Sequence, residues 1–253
     1  MTGTIDWQLS GALASVTVSN PARMNAMTRT MWQQLREVFS EISGRTDVRC
    51  VLVQGKGAHF CAGGDISEYP TFRFEPDSLM HFHEVEVWGG LQALLDCPLP
   101  VLALVRGNCM GAGLEIASCC DLRLGAANSV YGAPIARLGF PMAPREAALV
   151  QRSVGAATAS AMLLAAQSFD AAHMLQCGFL AWSVPDDALQ LKADALVARM
   201  GGLSPQAARL NKQILRQEGP VQAPTPPSAY AYAPSPQHRE GVQAFLDKRQ
   251  PDF

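Results

Sequence analysis

Hydrophobic residues in the first half of the chain follow two patterns, one typical of β-strands and one typical of amphipathic helices. Two alternating stretches joined at Ser10-Gly11 predict a hairpin, and continuous apolar runs further on predict buried strands. Thr28 stands where it can cap a helix whose apolar positions recur every three to four residues. A second helix is expected to begin at Pro76-Asp77 and to end at Leu95. The predicted strands are Ile5–Leu9, Ala12–Ser19, Arg49–Gln54, Val101–Val105 and Asp121–Leu124.

Helical periodicity dominates the second half, apart from one short strand at Phe179–Val184 and a proline-rich segment. The segment Gln217–Gln237 carries six prolines, which exclude a regular helix, so an ordered loop or semi-rigid linker is predicted. Strands that alternate with helices, followed by helices alone, indicate an α/β core with a helical C-terminal part. The predicted helices are Pro144–Ser153, Ala156–Ala166, Asp170–Cys177, Asp186–Met200, Ser204–Gln217 and His238–Lys248.

Composition narrows the class of protein. The chain has 253 residues, of which 48% are hydrophobic, and this suits one large globular domain. A net charge of −2 provides no field that would hold nucleic acid or an anionic membrane. No apolar run reaches the roughly 20 residues of a membrane span, and the N-terminus lacks a signal-peptide layout, so a cytoplasmic protein is expected. The seven cysteines form no CxxC pair and are interpreted as reduced, mostly buried thiols.

Two segments place a glycine-containing turn directly after a buried strand: CVLVQGKGAHFCAGGD at 50–65 and VLALVRGNCMGAGLE at 101–115. Glycine allows the backbone to approach a ligand closely, and a backbone N–H that faces a cavity is a fixed partial positive charge. Two such donors that converge on one point form an oxyanion hole. Each turn alone also fits a purely structural role, and neither matches the phosphate-binding or dinucleotide-binding glycine patterns.

Taken together, the order and spacing of these segments resemble the crotonase superfamily of enoyl-CoA hydratases and isomerases. The resemblance covers nearly the whole chain. It implies an α/β spiral of stacked β-β-α turns over residues 1–190 and a helical region over 191–253 that packs into homotrimers or hexamers. The segments that carry it are NPARMNAM (20–27), HFCAGGDI (59–66), RGNCMGAGLEIASCCDLRLGA (106–126), YGAPIARLGFPM (131–142), FDAAHMLQCGFLAWSVP (169–185) and HREGVQAFLDKRQPDF (238–253).

The resemblance also implies a catalytic site for acyl-CoA thioesters, as in fatty acid metabolism. The thioester carbonyl is expected between the backbone amides of Gly64 and Ala112, with Glu115 as the acid/base and a thioester enolate as the intermediate. No metal and no permanently bound cofactor are implied, because coenzyme A enters as part of the substrate. The residues expected to contact coenzyme A are Arg23, Met24, Ala26, Ala62, Asp65, Ile66 and Ser67, with Phe245 and Lys248 near a coenzyme A site of the same or a neighbouring subunit.

One position departs from the family pattern. A second glutamate is expected directly after Gly132-Ala133-Pro134, but this chain has Ile135. Three interpretations therefore stay open: an enoyl-CoA hydratase/isomerase-like enzyme, a catalytically impaired acyl-CoA-binding homologue, and a hydrolase or lyase that acts on a ketone without coenzyme A. Residues that could substitute for the missing group, although each also fits a surface or lining position, are Arg137, Glu146, His81, His83, Glu84 and Glu86.

Overall fold

A six-stranded sheet forms the centre of the protein, whose computed structural model describes residues 3–216 and 227–253. Its strands are β1 (Thr4–Ser10), β2 (Leu13–Ser19), β3 (Cys50–Gly55), β4 (Val101–Val105), β6 (Leu122–Ala126) and β9 (Trp182–Val184). The strands lie side by side in that order. The first two form the predicted antiparallel hairpin, and every later neighbour is parallel.

A smaller sheet of three short strands lies beside the large one. These strands are β5 (Asn108–Met110), β7 (Val130–Gly132) and β8 (Ser168–Asp170). β4 and β6 are parallel neighbours in the large sheet, and β5 and β7, which follow them along the chain, are parallel neighbours in the small sheet. Successive turns of the chain therefore stack strand on strand, as the predicted β-β-α spiral requires.

Helices flank both sheets. They are α1 (Arg29–Ser43), α2 (Pro76–His81), α3 (Trp88–Asp96), α4 (Ala112–Cys119), α5 (Pro144–Val154), α6 (Ala156–Leu164), α7 (Ala171–Gln176), α8 (Leu189–Gly201), α9 (Pro205–Arg216) and α10 (Pro236–Leu246). A π-helical turn, Phe82–Val87, joins α2 to α3, so the chain is helical from residue 76 to residue 96. Short 3-10 helices occupy Pro21–Arg23, Ile66–Thr71, Ile135–Leu138, Asp186–Ala188 and Pro227–Tyr230.

Two layers of hydrophobic packing hold the elements together. On one face of the large sheet, the buried stripe of α1 packs against α3 and β1, as its periodicity predicts. On the other face, Leu189, Ala193 and Leu196 of α8 cover Leu52 and Leu102. All seven cysteines are free thiols and six of them are buried, which confirms their interpretation. None of the helices in the described ranges has the length and apolar character that a membrane crossing requires.

Three differences from the sequence predictions have local physical causes. The strand expected at Phe179–Val184 begins only at Trp182, because the Leu180 N–H donates back to the Met174 carbonyl oxygen of α7 at 2.9 Å and does not pair with a neighbouring strand. The last helix begins at Pro236, where the Ser235 hydroxyl accepts a hydrogen bond from the His238 N–H at 3.2 Å. The short strands of the small sheet were not predicted. Residues 217–226 of the predicted linker lie outside the described residues.

Replacement of Thr28 by alanine tests the start of α1. The Thr28 Oγ1 accepts a hydrogen bond from the Met31 N–H at 3.3 Å and so satisfies one of the unpaired amides at the start of the helix. We expect Thr28→Ala to lower the free energy of unfolding by about 1 kcal/mol, and Thr28→Ser to retain most of it. Urea unfolding of the three proteins measures this, and equal losses in both variants would contradict the capping role.

Candidate active site

The two glycine turns lie side by side and are joined through their backbones. The Cys61 N–H donates to the Asn108 carbonyl oxygen at 3.0 Å, and the Met110 N–H donates to the Cys61 carbonyl oxygen at 2.9 Å. A Cβ atom on Gly113 would lie 2.6 Å from the same Cys61 oxygen, so only glycine permits this approach. The turn after β3 and the turn after β4 therefore meet at one place.

The Gly64 N–H points away from Met27, whose segment pairs with the Gly64 turn. Met27 donates its N–H to the Gly63 carbonyl at 2.8 Å and accepts the Asp65 N–H at 2.7 Å. Because backbone groups of successive residues in an extended segment point to opposite sides, the Gly64 N–H points to the side away from Met27, and no acceptor for it is found among the described residues. A side chain at Gly64 would collide with the hydroxyl of Tyr69, since a Cβ there would lie 2.3 Å from that oxygen.

The Ala112 amide is the first of α4. The first amides of a helix have no partner within the helix, and the helix dipole adds partial positive charge at this end. Gly111, directly before it, has a φ of +46°, and its own N–H donates to the Gly132 carbonyl at 2.9 Å. Within the described part of the chain, the Ala112 N–H donates to no carbonyl or side chain. Gly64 and Ala112 both line one cavity.

This cavity has a volume of about 350 Å³ and mostly apolar walls. Trp32, Phe82, Met110, Phe140 and Met142 are among the apolar lining residues. The titratable side chains that reach it are Tyr69, Arg73, His83, Glu115, Arg137 and Glu146. The site thus combines a space suited to an acyl chain with a small set of acid, base and cationic groups.

Glu115 lies one turn into α4 and is buried, with 6% of its surface exposed. Burial raises its pKa well above the usual carboxyl range, and the charge of Glu146 raises it further. None of the described residues donates a hydrogen bond to its carboxyl group. A carboxyl group in this state holds its proton to higher pH than usual, and a raised carboxyl pKa is a property that enzymes use in general acids and bases.

A second buried carboxyl group, that of Glu146, belongs to a chain of contacts across the cavity wall. Its Oε1 lies 2.8 Å from Nδ1 of His83, and Nε2 of His83 lies 3.4 Å from Nη1 of Arg73. The Arg73 guanidinium lies over the Phe140 ring at 3.7 Å from the centroid and near the Tyr69 ring at 4.7 Å. Burial lowers the pKa of Arg73 and raises that of Tyr69 to about 12.

At the position of the expected second glutamate, Ile135 presents only an apolar side chain to the cavity. Ile135 starts the 3-10 helix Ile135–Leu138, is half-buried against the core, and lines the cavity. Of the candidate substitutes, Arg137, His83 and Glu146 also line it. Glu84 instead pairs with Arg145 at 3.1 Å, and Glu86 pairs with Arg29, with His81 3.7 Å away from Glu86.

The residues expected to contact coenzyme A fall into two groups. The first group lies around the Gly64 turn, where the Ala62 N–H donates to the Met24 carbonyl oxygen at 3.0 Å. Asp65 accepts from Ser67 Oγ at 2.6 Å and lies 3.4 Å from the half-exposed Arg23.

Two further residues of this group differ in exposure. Ala26 is buried, whereas Ile66 is 51% exposed beside the cavity. Phe245 and Lys248 form the second group, at the end of α10, where Phe245 is 83% exposed, and neither of them lines the cavity. The binding role of all these residues stays a prediction.

Comparison with known proteins decides the family. Residues 8–253 match the family described as enoyl-CoA hydratase/isomerase. The chain belongs to this family. It is 31% identical over 245 residues to the 2,3-dehydroadipyl-CoA hydratase of Escherichia coli, covering 94% of this chain and 93% of that protein. It is 35% identical over 190 residues to a probable enoyl-CoA hydratase of Mycobacterium tuberculosis, covering 74% and 73%.

A solved structure of an enoyl-CoA hydratase/carnithine racemase from Magnetospirillum magneticum has the same fold as this enoyl-CoA hydratase/isomerase family member. The TM-score is 0.93 at 34% identity, and the match covers 98% of this chain and 94% of the other. The resemblance inferred from the glycine turns is therefore confirmed for the fold and for the family.

Sequence reasoning missed two polar residues of the site in this family member, Arg73 and Tyr69. Both lie in or just after the 3-10 helix Ile66–Thr71, which has no periodic pattern to show which side chains face inward. The sequence indicates Glu146 and His83 only as possible substitutes for the missing glutamate. The contact between them joins residues 63 positions apart, and no local signal predicts such a contact.

The raised pKa of Glu115 predicts a pH-dependent stability. Above the pKa of an unfolded glutamate, about 4.3, and below that of folded Glu115, the folded state binds a proton that the unfolded state has released. The stability of the wild type therefore falls as pH rises through this window, by up to about 1.4 kcal/mol per pH unit. Glu115→Gln cannot ionise and removes this contribution.

Urea unfolding between pH 5 and pH 8 checks this prediction. The stability of Glu115→Gln relative to the wild type is expected to increase with pH. The matched control is Glu84→Gln, since the Glu84 side chain is 44% exposed, and its curve should run parallel to that of the wild type. A parallel curve for Glu115→Gln would show that the buried carboxyl group does not hold its proton.

Proposed function

We propose that this protein is an acyl-CoA enzyme that works through a thioester enolate. The Gly64 and Ala112 amides bind the thioester oxygen, and Glu115 transfers a proton at the α or β carbon. The observation that carries the proposal is that one cavity holds a buried carboxyl group of raised pKa and two amides without an acceptor among the described residues. Membership of the enoyl-CoA hydratase/isomerase family supports the same chemistry.

The chemistry follows from where charge develops. When a double bond accepts a nucleophile at the β carbon, or when a proton leaves the α carbon, negative charge moves to the thioester oxygen. One preorganised donor at such an oxygen typically contributes about 3 kcal/mol to transition-state stabilisation. Because both donors are backbone groups, truncating a side chain does not remove them. Loss of the Glu115 carboxyl group, in contrast, is expected to stop proton transfer while thioester binding is retained.

The coenzyme and the assembly belong to the same proposal. The half-exposed Arg23, beside Asp65 and Ser67, is proposed to bind the coenzyme A phosphates near the cavity entrance. Assembly into trimers or hexamers through the helical C-terminal region is supported by apolar side chains exposed on α9 and α10. These side chains are Ile214, Leu215, Val242, Phe245 and Leu246.

A second candidate function is acyl-CoA binding without turnover. The observation that favours it is Ile135, which leaves the position of the expected second glutamate without a proton-transfer group. Under this alternative, the amides would still hold the thioester oxygen, but proton transfer would be too slow for catalysis.

Incubation with crotonyl-CoA and with a 3-enoyl-CoA tests the proposal. We expect turnover of at least one of them, and a loss on the order of 10²–10⁴ in rate for Glu115→Gln with thioester binding retained. Absorbance assays measure turnover, calorimetry measures binding, and Glu84→Gln serves as the exposed control. Binding without turnover in the wild type would favour the second candidate, and failure to bind either thioester would indicate a substrate without coenzyme A.

A further inference from the structure

Hydration of a 2-enoyl thioester requires two proton transfers, one from water and one to the α carbon. Glu115 alone can serve only one of them at a time, and Ile135 offers neither an acid nor a base. The cavity nevertheless contains a second carboxyl group, from a different element. Glu146 lies in the first turn of α5, is only 3% exposed, and lines the same cavity as Glu115.

The two contacts of the His83 ring indicate which of its nitrogens carries the hydrogen. Arg73 can only donate hydrogen bonds, so its contact with Nε2 of His83 at 3.4 Å makes that nitrogen the acceptor. The hydrogen of a neutral imidazole is then on Nδ1, which lies 2.8 Å from Oε1 of Glu146 and donates to it. Such a bond holds the Glu146 carboxyl group in one orientation.

The two carboxyl groups are both buried but differ in their hydrogen bonding. Glu115 receives no hydrogen bond from any described residue, and burial favours its neutral form. Glu146 receives a hydrogen bond from His83, and the Arg73 guanidinium contacts the other nitrogen of that imidazole. Two carboxyl groups that line one cavity and are held differently can take different parts in one proton-transfer reaction.

We infer that Glu146, oriented by His83 and Arg73, is the general base that activates water for hydration of a 2-enoyl thioester, in place of the carboxylate absent at Ile135. Glu146 takes a proton from water, and the water oxygen bonds to the β carbon. The electrons of the double bond move to the thioester oxygen. Glu115 then gives its proton to the α carbon, which forms a 3-hydroxyacyl thioester. Return of the proton from Glu146 to Glu115 through water restores the starting state.

This inference rests on the proposed enolate chemistry. Two reactions of the full-length protein distinguish a failure of the Glu146 role from a failure of that chemistry. The first is hydration of crotonyl-CoA, which needs both carboxyl groups. The second is exchange of the α hydrogen of butyryl-CoA with deuterated solvent, which needs only Glu115 and the two amides. Mass spectrometry follows both reactions, and calorimetry follows thioester binding.

For Glu146→Gln we expect hydration to fall on the order of 10²-fold or more, with α-hydrogen exchange and thioester binding unchanged. Glu115→Gln should lose both reactions. Glu84→Gln, which replaces an exposed glutamate paired with Arg145, should keep both reactions. Parallel loss of hydration and exchange in Glu146→Gln would indicate a structural role and would overturn the inference, as would unchanged hydration.

A pair of His83 variants decides the question if Glu146→Gln does not fold. Asparagine places a side-chain N–H close to the position of Nδ1, whereas leucine does not. We expect His83→Leu to lose hydration selectively and His83→Asn to keep most of it. Equal hydration in both variants would overturn the positioning role. A wild type that exchanges but does not hydrate overturns the role of Glu146 alone. One that does neither, and that also leaves a 3-enoyl-CoA unchanged, overturns the proposed function as well.

Discussion

The backbone bridge between Cys61 and Cys109 is the contact on which the site depends. Through it, the turn after β3 and the turn after β4 become neighbours, and the amides of Gly64 and Ala112 line one cavity. The parallel register of the two strands, with Val51 opposite Val101, delivers both turns to the same edge of the sheet. The large sheet thus positions the N–H groups of Gly64 and Ala112 relative to each other.

The low polarity of the cavity shifts the pKa values of Glu115 and Arg73 in opposite directions. The same loss of hydration that raises the pKa of Glu115 lowers the pKa of Arg73, because both groups become easier to keep neutral away from water. Arg73 is held by contacts with two aromatic rings, and Glu146 by a contact with the His83 imidazole. Glu115, in contrast, has no hydrogen-bond donor among the described residues.

The parts of the fold that could be predicted are those with a long local pattern. The apolar stripe of α1 and the hairpin follow from periodicity, and the strand at Val101–Val105 follows from a continuous apolar run. The Gly64 and Ala112 turns could be located because their spacing resembles a known family. The three-residue strands β5, β7 and β8 are too short to show a period.

The rest of the site could not be predicted, because it arises from contacts between distant elements. The missing glutamate at Ile135 is visible in the sequence, but the other carboxyl group that lines the same cavity, that of Glu146, is not. Glu146 lies on α5 and His83 on the turn between α2 and α3, and only the folded chain brings them within 2.8 Å of each other. A buried glutamate on a helix looks, in a single sequence, the same as one that faces solvent.

The π-helical turn Phe82–Val87 has a consequence for how such a site can arise. Within a helix, one inserted residue rotates all that follows by about 100°, and a wide turn absorbs the insertion without breaking the helix. Here the wide turn brings His83 to the cavity, while Leu91 and Leu94, further along, remain fully buried in the core. Insertion of one codon in such a helix could therefore bring a polar side chain such as His83 into an existing cavity. The core contacts of the helix on both sides of the insertion would stay as they were.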